Sequence, residues 1–188
     1  MGNSTITNAQ ILFLGLDNAG KSTIIQVCKN DFTPSADDNE IKPTVGHSVT
    51  HFKGKEKSFQ LAAWDLSGKD QFRSLWKSYY KHANAICFVV DSSEDEERME
   101  EAREILHAVL QDVELREAIL LICANKMDNS SAKSAQNMTD ILGLTSTTTG
   151  LSKRAWKLQP TCAKTGDGLR EGFEWLSAQL KTKLKAKK

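Results

Sequence analysis

A glycine-rich loop at residues 15–22 constrains the fold of this chain more than any other feature. The loop reads GLDNAGKS, follows an apolar run at 11–14 and opens a helical pattern at 22–29. An apolar strand, the pattern GxxxxGK[ST] and a helix, in that order, are typical of a phosphate-binding loop. Backbone N–H groups of such a loop converge on an anion, and the dipole of the following helix adds to the attraction. The segment therefore predicts a polyphosphate site, with a plain flexible loop before a helix as the alternative.

The chemistry expected of this loop depends on a few residues. Gly15 and Gly20 allow backbone angles and a close backbone approach that a Cβ would hinder. We expect Lys21 to bridge the β- and γ-phosphates of a nucleotide and the Ser22 hydroxyl to bind Mg²⁺. The other expected nucleotide contacts in this segment are Asp17, Asn18, Ala19 and Thr23.

Composition argues against several other classes of protein. With 188 residues the chain is expected to form one domain, and its net charge of +1 argues against a dedicated nucleic-acid binder. The four cysteines show no CxxC spacing, which argues against a zinc site or a disulfide framework. No apolar run approaches the ~20 residues of a membrane span. We therefore expect a cytoplasmic globular protein with reduced thiols.

Apolar runs alternate with helical patterns along the chain, which is typical of a sheet covered by helices on both faces. The predicted strands are 10–15, 47–53, 57–65, 85–91, 118–124 and 157–162, and the predicted helices are 20–30, 70–81, 95–111, 134–142 and 167–185. Residues 53–55 predict a hairpin turn and hence one antiparallel edge pair, and the Ser/Thr-rich segment 145–152 predicts a surface loop. The predicted fold class is α/β, a three-layer, Rossmann-like phosphate-loop fold with a mixed six-stranded sheet.

A second motif, at residues 125–128, indicates which base is bound. Asn-Lys-Met-Asp follows an apolar strand and matches the NKxD pattern typical of guanine-specific GTPases. The Asp128 carboxylate can accept hydrogen bonds from N1–H and the 2-amino group of guanine, whereas adenine would leave it unpaired. The segment 162–164 resembles an SAK-type segment, in which a backbone N–H reads the guanine carbonyl. The expected base contacts are Asn125, Lys126, Asp128, Cys162, Ala163 and Lys164.

Two further segments predict a response to the γ-phosphate. Asp65 ends a strand and is expected to hold Mg²⁺ through water, while the Gly68 N–H is expected to reach the γ-phosphate. Thr44 would complete the Mg²⁺ shell only while the γ-phosphate is present. The first switch segment (residues 43–46) and the second switch segment (residues 64–68) are thus expected to be ordered by GTP and released after hydrolysis.

These motifs together resemble the Arf-like small GTPases over nearly the whole chain. The resemblance is carried by the segments GLDNAGKST, PTVG, WDLSGKDQFRSLWKSYY, FVVDSS, ANKMD and CAKTGDGLREGFEWL. It implies a GTPase domain at 10–185 between a short extension at 1–9 and a basic tail at 186–188. Ser67 and the paired Tyr79 and Tyr80 resemble the ciliary branch of the family that recruits the BBSome coat.

The resemblance also implies how such a protein is used. Its cofactors are Mg²⁺ and GTP or GDP, and its partners are an exchange factor, a GTPase-activating protein and effectors in membrane or vesicle trafficking. A hairpin at 47–64 is implied to shift register between nucleotide states. The implied effector surface maps to His47, Trp64 and Tyr79, although the family usually has an aromatic residue where His47 stands. Ordinary packing of Trp64 and Tyr79 between hairpin and helix is the alternative.

The chain departs from the family pattern at Lys69, which occupies the place of the catalytic glutamine. An ammonium can donate but cannot accept a hydrogen bond from the attacking water. We therefore expect the predicted catalytic group, Lys69 with Gly68 and Lys21, to hydrolyse GTP slowly without a partner. The alternative is that Lys69 points to solvent and the backbone positions the attacking water. A non-hydrolysing GTP-dependent binding module is the rival function, and a phosphate-loop kinase is a third.

Membrane attachment is left open by both ends of the chain. Gly2 is a candidate for myristoylation, but Ile6 stands where the motif prefers Ser or Thr. Residues 3–8 are too few and too polar for the amphipathic helix of Arf relatives. Five lysines in the last eight residues suit a helix C-terminus and could add weak attraction to an anionic leaflet. The prediction is therefore a cytoplasmic protein, with peripheral contact to intracellular membranes left open.

Overall fold

The computed structural model describes residues 7–30, 44–53, 59–145 and 151–186. Its strands are β1 (Thr7–Leu14), β2 (His47–Lys53), β3 (Phe59–Leu66), β4 (Ala85–Asp91), β5 (Ile119–Asn125) and β6 (Trp156–Pro160). Its α-helices are α1 (Lys21–Lys29), α2 (Asp70–Arg73), α3 (Lys77–Tyr80), α4 (Glu96–Gln111), α5 (Ala135–Ile141) and α6 (Leu169–Ala186). Short 3₁₀ helices lie at Val113–Leu115 and Leu151–Lys153.

The strands form one mixed sheet in the order β2-β3-β1-β4-β5-β6. All neighbouring pairs are parallel except β2 and β3, which are antiparallel, with His47 opposite Leu66 and Val49 opposite Trp64. The predicted antiparallel edge pair is therefore confirmed. The turn expected at 53–55 falls largely on residues 54–58, which lie outside the described part of the chain.

Side chains that alternate along β1 build two separate cores. Ile11 and Phe13 face a core that also takes Ile24 of α1 and Phe173 of α6. Their neighbours on the strand face the other core, which is packed by Trp76, Tyr80, α4 and α5. The rings of Phe13 and Phe173 stack with centroids 6.0 Å apart. Helices thus cover both faces of the sheet, which confirms the predicted three-layer fold.

The predicted helix at 70–81 is divided into α2 and α3. Between them the backbone makes i to i+3 hydrogen bonds, from Leu75 N to Phe72 O at 3.1 Å and from Trp76 N to Arg73 O at 3.0 Å. This tighter winding lets the buried Trp76 indole donate to the carbonyl of Ser67 at 2.9 Å. Contacts with the preceding segment therefore override a continuous helical pattern.

The loop predicted at 145–152 is described only at its two ends. Residues 146–150 lie outside the described part of the chain. Thr145 and Ser152 are exposed, as predicted, whereas Leu151 is buried. The candidate residues Gly2, Pro43, Lys187 and Lys188 also lie outside it. Among the described residues, none of the helices combines the length and apolar character needed to cross a membrane.

The parallel strands all end at one edge of the sheet. The motifs at 15–22, 65–68, 125–128 and 162–164 lie at or just after the carboxyl ends of β1, β3, β5 and β6. Open α/β sheets bind ligands at the carboxyl ends of their strands. The fold therefore collects motifs from distant parts of the sequence into one region.

Candidate nucleotide-binding site

The loop between β1 and α1 leaves the start of α1 open to a ligand. Its N-cap, Gly20, has φ +99°, and no side chain of the described residues caps the helix, whereas Asp95 caps α4 and Ser134 caps α5. A Cβ on Gly20 would lie 2.3 Å from Asn125 Nδ2, so only glycine fits there. The first N–H groups of α1 therefore remain available to an anion.

Lys21 lies buried beneath this loop. Its ammonium donates to the carbonyl oxygens of Gly15 at 3.1 Å and Leu16 at 2.7 Å. Burial lowers the pKa of Lys21 to about 8, although Asp65 and Asp17 attract the charge. A bound polyphosphate would compensate this desolvated cation, so the site fits an anionic ligand.

Two hydroxyls and one carboxylate meet beside the loop. Ser22 Oγ lies 2.9 Å from Thr44 Oγ1, the Thr44 hydroxyl donates to Asp65 Oδ2 at 2.9 Å, and the Ser22 hydroxyl also donates to that oxygen. Asp65 is buried, and its Oδ1 has no hydrogen-bond partner among the described residues. All the side-chain atoms that meet here are oxygens, and one of them belongs to a buried carboxylate. Oxygen ligands of this kind fit a hard cation such as Mg²⁺. The three predicted metal ligands therefore come together.

The second switch segment packs directly against the phosphate loop. A Cβ on Gly68 would lie 2.3 Å from Asp17 N and 2.3 Å from Leu16 C, so the two backbones touch. Lys69 is exposed, and its backbone N lies 3.5 Å from Ser67 Oγ. A cavity of about 310 Å³ lies between loop and switches, lined by Asp17, Asn18, Gly20, Lys21, Ser22, Thr23, Thr44, Ser67, Gly68 and Lys69.

Asn125 joins the phosphate loop to the base motif. Its buried amide donates from Nδ2 to Ala19 O at 2.9 Å. Its Oδ1 accepts from the Ala163 N–H at 3.1 Å and from the Thr161 hydroxyl at 3.3 Å. The Ala163 N–H, expected to read a guanine carbonyl, is thus already engaged and can reach a ligand only as a shared donor.

The remaining residues expected to contact the base form side-chain pairs near the end of β5. Lys126 Nζ lies 2.7 Å from Asp91 Oδ2. Burial alone would raise the pKa of Asp91, but hydrogen bonds from Lys126 and Ser93 hold it below its ordinary value. Asp128 accepts from Cys162 Sγ at 3.3 Å, and Lys164 Nζ lies 3.8 Å from its other oxygen. The ion pair of Lys126 fixes that side chain beside the base motif.

The predicted effector residues form a compact aromatic cluster on the hairpin and α3. The rings of His47 and Tyr79 and those of Trp64 and Tyr79 both have centroids 5.3 Å apart, and His47 stacks on Trp64 at 6.0 Å. The Tyr79 hydroxyl lies 3.0 Å from His47 Nδ1. Val45 of the first switch segment and Leu75, between α2 and α3, are exposed apolar residues.

A charged network beside the cavity escaped the sequence reasoning. Arg73 of α2 and Arg98 of α4 both contact Glu101, and Arg98 also contacts Asp17 of the phosphate loop. Arg98 and Asp17 are 81 positions apart. Arg98 and Glu101 have the i,i+3 spacing of a helical ion pair, but this spacing is common on exposed helix faces. The links to Arg73 and Asp17 join distant segments, so no sequence pattern signals the network.

Comparison with known proteins agrees with this geometry. The sequence profile of the ADP-ribosylation factor family matches residues 3–180. The fold is similar to that of the Arl6 BBS3 small GTPase from Trypanosoma brucei with the bound nucleotide analogue GppNp, at 33% sequence identity and a TM-score of 0.80. That match covers 94% of this chain and 99% of the other. The chain therefore belongs to the ADP-ribosylation factor family and is an Arf-like small GTPase.

Proposed function

We propose that this chain is a guanine-nucleotide switch that adopts its effector-binding shape when it holds GTP and Mg²⁺. The family as a whole implies a nucleotide-binding switch, and its members bind GTP and GDP. The observation that carries the proposal is the contact of Thr44 with Ser22 and Asp65. Thr44 Oγ1 lies 2.9 Å from Ser22 Oγ and 2.9 Å from Asp65 Oδ2. Through this contact the first switch segment closes on the site that the γ-phosphate would share.

The phosphate end of the site is assigned to the loop and to α1. Lys21 and the N–H groups at the start of α1 bind and orient the β- and γ-phosphates. Ser22 and Thr44 would hold Mg²⁺ directly, and Asp65 would hold it through water. When bound, Mg²⁺ would neutralise part of the negative charge of the β- and γ-phosphates.

The base end of the site is assigned to residues after β5 and β6. Asp128 accepts the two donors of guanine, while the stems of Lys126 and Lys164 pack on the ring. Asn125 is assigned a positioning role and not a direct contact with the base, because its amide nitrogen and its amide oxygen are both hydrogen-bonded to other segments of the protein. It therefore holds the base motif and the phosphate loop at a fixed distance from each other.

Discrimination between bases tests this assignment. Calorimetry on nucleotide-stripped protein with Mg²⁺ should show tight binding of GDP and weak binding of ADP. Equal affinities for the two nucleotides would overturn the proposal. Chromatography after incubation with GTP then separates the alternatives: GDP and phosphate indicate a GTPase, unchanged GTP a binding module, and a phosphorylated acceptor a kinase.

Resetting by hydrolysis is proposed to be slow because of Lys69. Lys69 is exposed and lines the cavity. Its ammonium could stabilise negative charge on the γ-phosphate, but it cannot orient the attacking water by accepting a hydrogen bond from it. In single-turnover assays Lys69→Gln should hydrolyse GTP faster than wild type. Lys77→Gln, an exposed lysine of α3, serves as the control and should match wild type. If all three proteins hydrolyse GTP at one rapid rate, Lys69 does not limit the reaction.

The cellular role is proposed to be membrane or vesicle trafficking in the cytoplasm. The GTP-bound form would present the cluster of His47, Trp64 and Tyr79 to effectors, and an exchange factor and a GTPase-activating protein would set its lifetime. Support comes from the family and from the compact aromatic cluster. Affinity capture with GTP-loaded and GDP-loaded protein tests this role, since effectors should be retained only by the former.

A further inference from the structure

We propose that Glu101 is a positioning residue that ties the second switch segment to the phosphate loop and favours the GTP-bound arrangement. This inference rests on the proposed function and adds a means of regulation at the same site. Glu101 lies on α4, outside every motif of the sequence, and it does not line the cavity. It would act only through two arginines.

The two oxygens of the Glu101 carboxylate receive different arginines. Arg73 Nη1 donates to Oε1 at 2.7 Å, and Arg98 Nη1 donates to Oε2 at 2.8 Å. Each arginine then reaches one wall of the nucleotide site. Arg73 Nε donates to the Gly68 carbonyl at 2.7 Å, and Arg98 Nη2 donates to Asp17 Oδ1 at 3.0 Å. A continuous chain of hydrogen bonds therefore runs from the second switch segment to the phosphate loop.

Burial and charge indicate that these hydrogen bonds affect the position of the second switch segment. The Arg73 side chain is only 16% exposed and that of Glu101 is 35% exposed, so their contact is partly shielded from water. Charge-assisted hydrogen bonds in such surroundings are stronger than neutral ones. Asp70 lies near Arg73 at 3.6 Å, but its side chain is 95% exposed. Glu101 is consequently the partner that fixes the Arg73 guanidinium beneath Gly68.

The network depends on the position of the second switch segment because Arg73 donates a hydrogen bond to the backbone carbonyl of Gly68 in that segment. Gly68 can accept from Arg73 in this way while its backbone lies against Leu16 and Asp17. In the same structure Thr44 is closed on Ser22 and Asp65, which is the arrangement that we assign to GTP. Removing the charge of Glu101 should therefore weaken that arrangement more than the GDP-bound one.

Release rates of fluorescent GDP and of a fluorescent non-hydrolysable GTP analogue test this inference. Glu101→Gln keeps the shape of the side chain but cannot accept from both arginines without turning its NH₂ group toward one of them. We expect it to release the GTP analogue about fivefold faster than wild type, with the GDP rate unchanged. Glu101→Asp keeps the charge and should lie between the two.

A matched control and a spectroscopic signal accompany these rates. Glu100→Gln removes an exposed pair with Arg103 on the same helix and should leave both rates unchanged. Trp76 donates to the carbonyl next to Gly68, so its contribution to the tryptophan fluorescence of the protein should change with the position of the switch. The difference in this fluorescence between the GTP-analogue and GDP forms should shrink in Glu101→Gln.

Two results would overturn the inference. One is an unchanged release rate of the analogue in Glu101→Gln, and the other is an equal acceleration for both nucleotides, which indicates a merely structural role. If Glu101→Gln does not fold, Arg73→Lys makes the same test, because lysine cannot contact Gly68 and Glu101 through two nitrogens. Failure of wild type to prefer guanine nucleotides would instead refute the proposed function.

Discussion

Replacing Gly68 by alanine is expected to abolish most of the preference for GTP while leaving GDP binding intact. The new Cβ would lie 2.3 Å from Asp17 N, 2.3 Å from Leu16 C and 2.5 Å from Gly15 O. All three are backbone atoms of the phosphate loop, which cannot yield without opening the site. The second switch segment must therefore withdraw from the loop.

The cost of that withdrawal follows from the bonds it breaks. Arg73 loses the Gly68 carbonyl at 2.7 Å, and the Trp76 indole loses the Ser67 carbonyl at 2.9 Å. A neutral hydrogen bond contributes about 1 kcal/mol and one from a charged donor about 2 kcal/mol. The sum, about 3 kcal/mol, corresponds to a roughly hundredfold loss in the preference for GTP over GDP.

Competition between GDP and a non-hydrolysable GTP analogue, measured by stopped-flow fluorescence, gives this ratio directly. Gly46→Ala is the control, because Gly46 lies in the first switch segment and a Cβ there would meet no described atom within 4 Å, although its φ is positive (+74°). It should carry only a strain of about 1 kcal/mol. If Gly68→Ala keeps the wild-type ratio, the second switch segment does not need its contact with the loop.

Two further predictions concern Lys21 and Asn125. Because burial lowers the pKa of Lys21 to about 8, binding of a polyphosphate at a pH above this value should take up a proton. The affinity for GDP, measured by calorimetry, should then fall about tenfold from pH 7 to pH 9. Lys21→Met should lack this pH dependence. A wild-type affinity that does not change with pH would contradict the assignment. Asn125→Asp replaces the donor to Ala19 O by an acceptor and should lower the free energy of unfolding in urea by at least about 2 kcal/mol. Wild-type stability would show that the amide does not join the two loops.

The fold followed from hydrophobic patterning wherever burial is complete. β4 and β5 are buried along their whole length, and their apolar runs predicted them within one residue. The division between α2 and α3 could not be predicted, because it depends on Trp76 and Arg73 reaching back to Ser67 and Gly68. Such tertiary contacts leave no periodic signal in the sequence.

The candidate site was predictable where its residues follow one another in a motif. The phosphate loop and the motif at 125–128 each carry several fixed positions in a row, and the structure brings both to one edge of the sheet. The engagement of Asn125 with Ala19 and Ala163 was not predictable, since it joins three separate segments. The link through Glu101 was missed for the same reason.

The position of β2 at the edge of the sheet has a consequence for the aromatic cluster. In the described sheet this strand is held by β3 alone. Since successive side chains of a strand point to opposite faces, a slide that keeps His47 on its present face has to be by an even number of residues. The smallest such step, two residues, displaces His47 by about 7 Å along β3. Its Nδ1, now 3.0 Å from the Tyr79 hydroxyl, would then be out of reach. A protein that recognises the intact cluster therefore also recognises a single alignment of the hairpin.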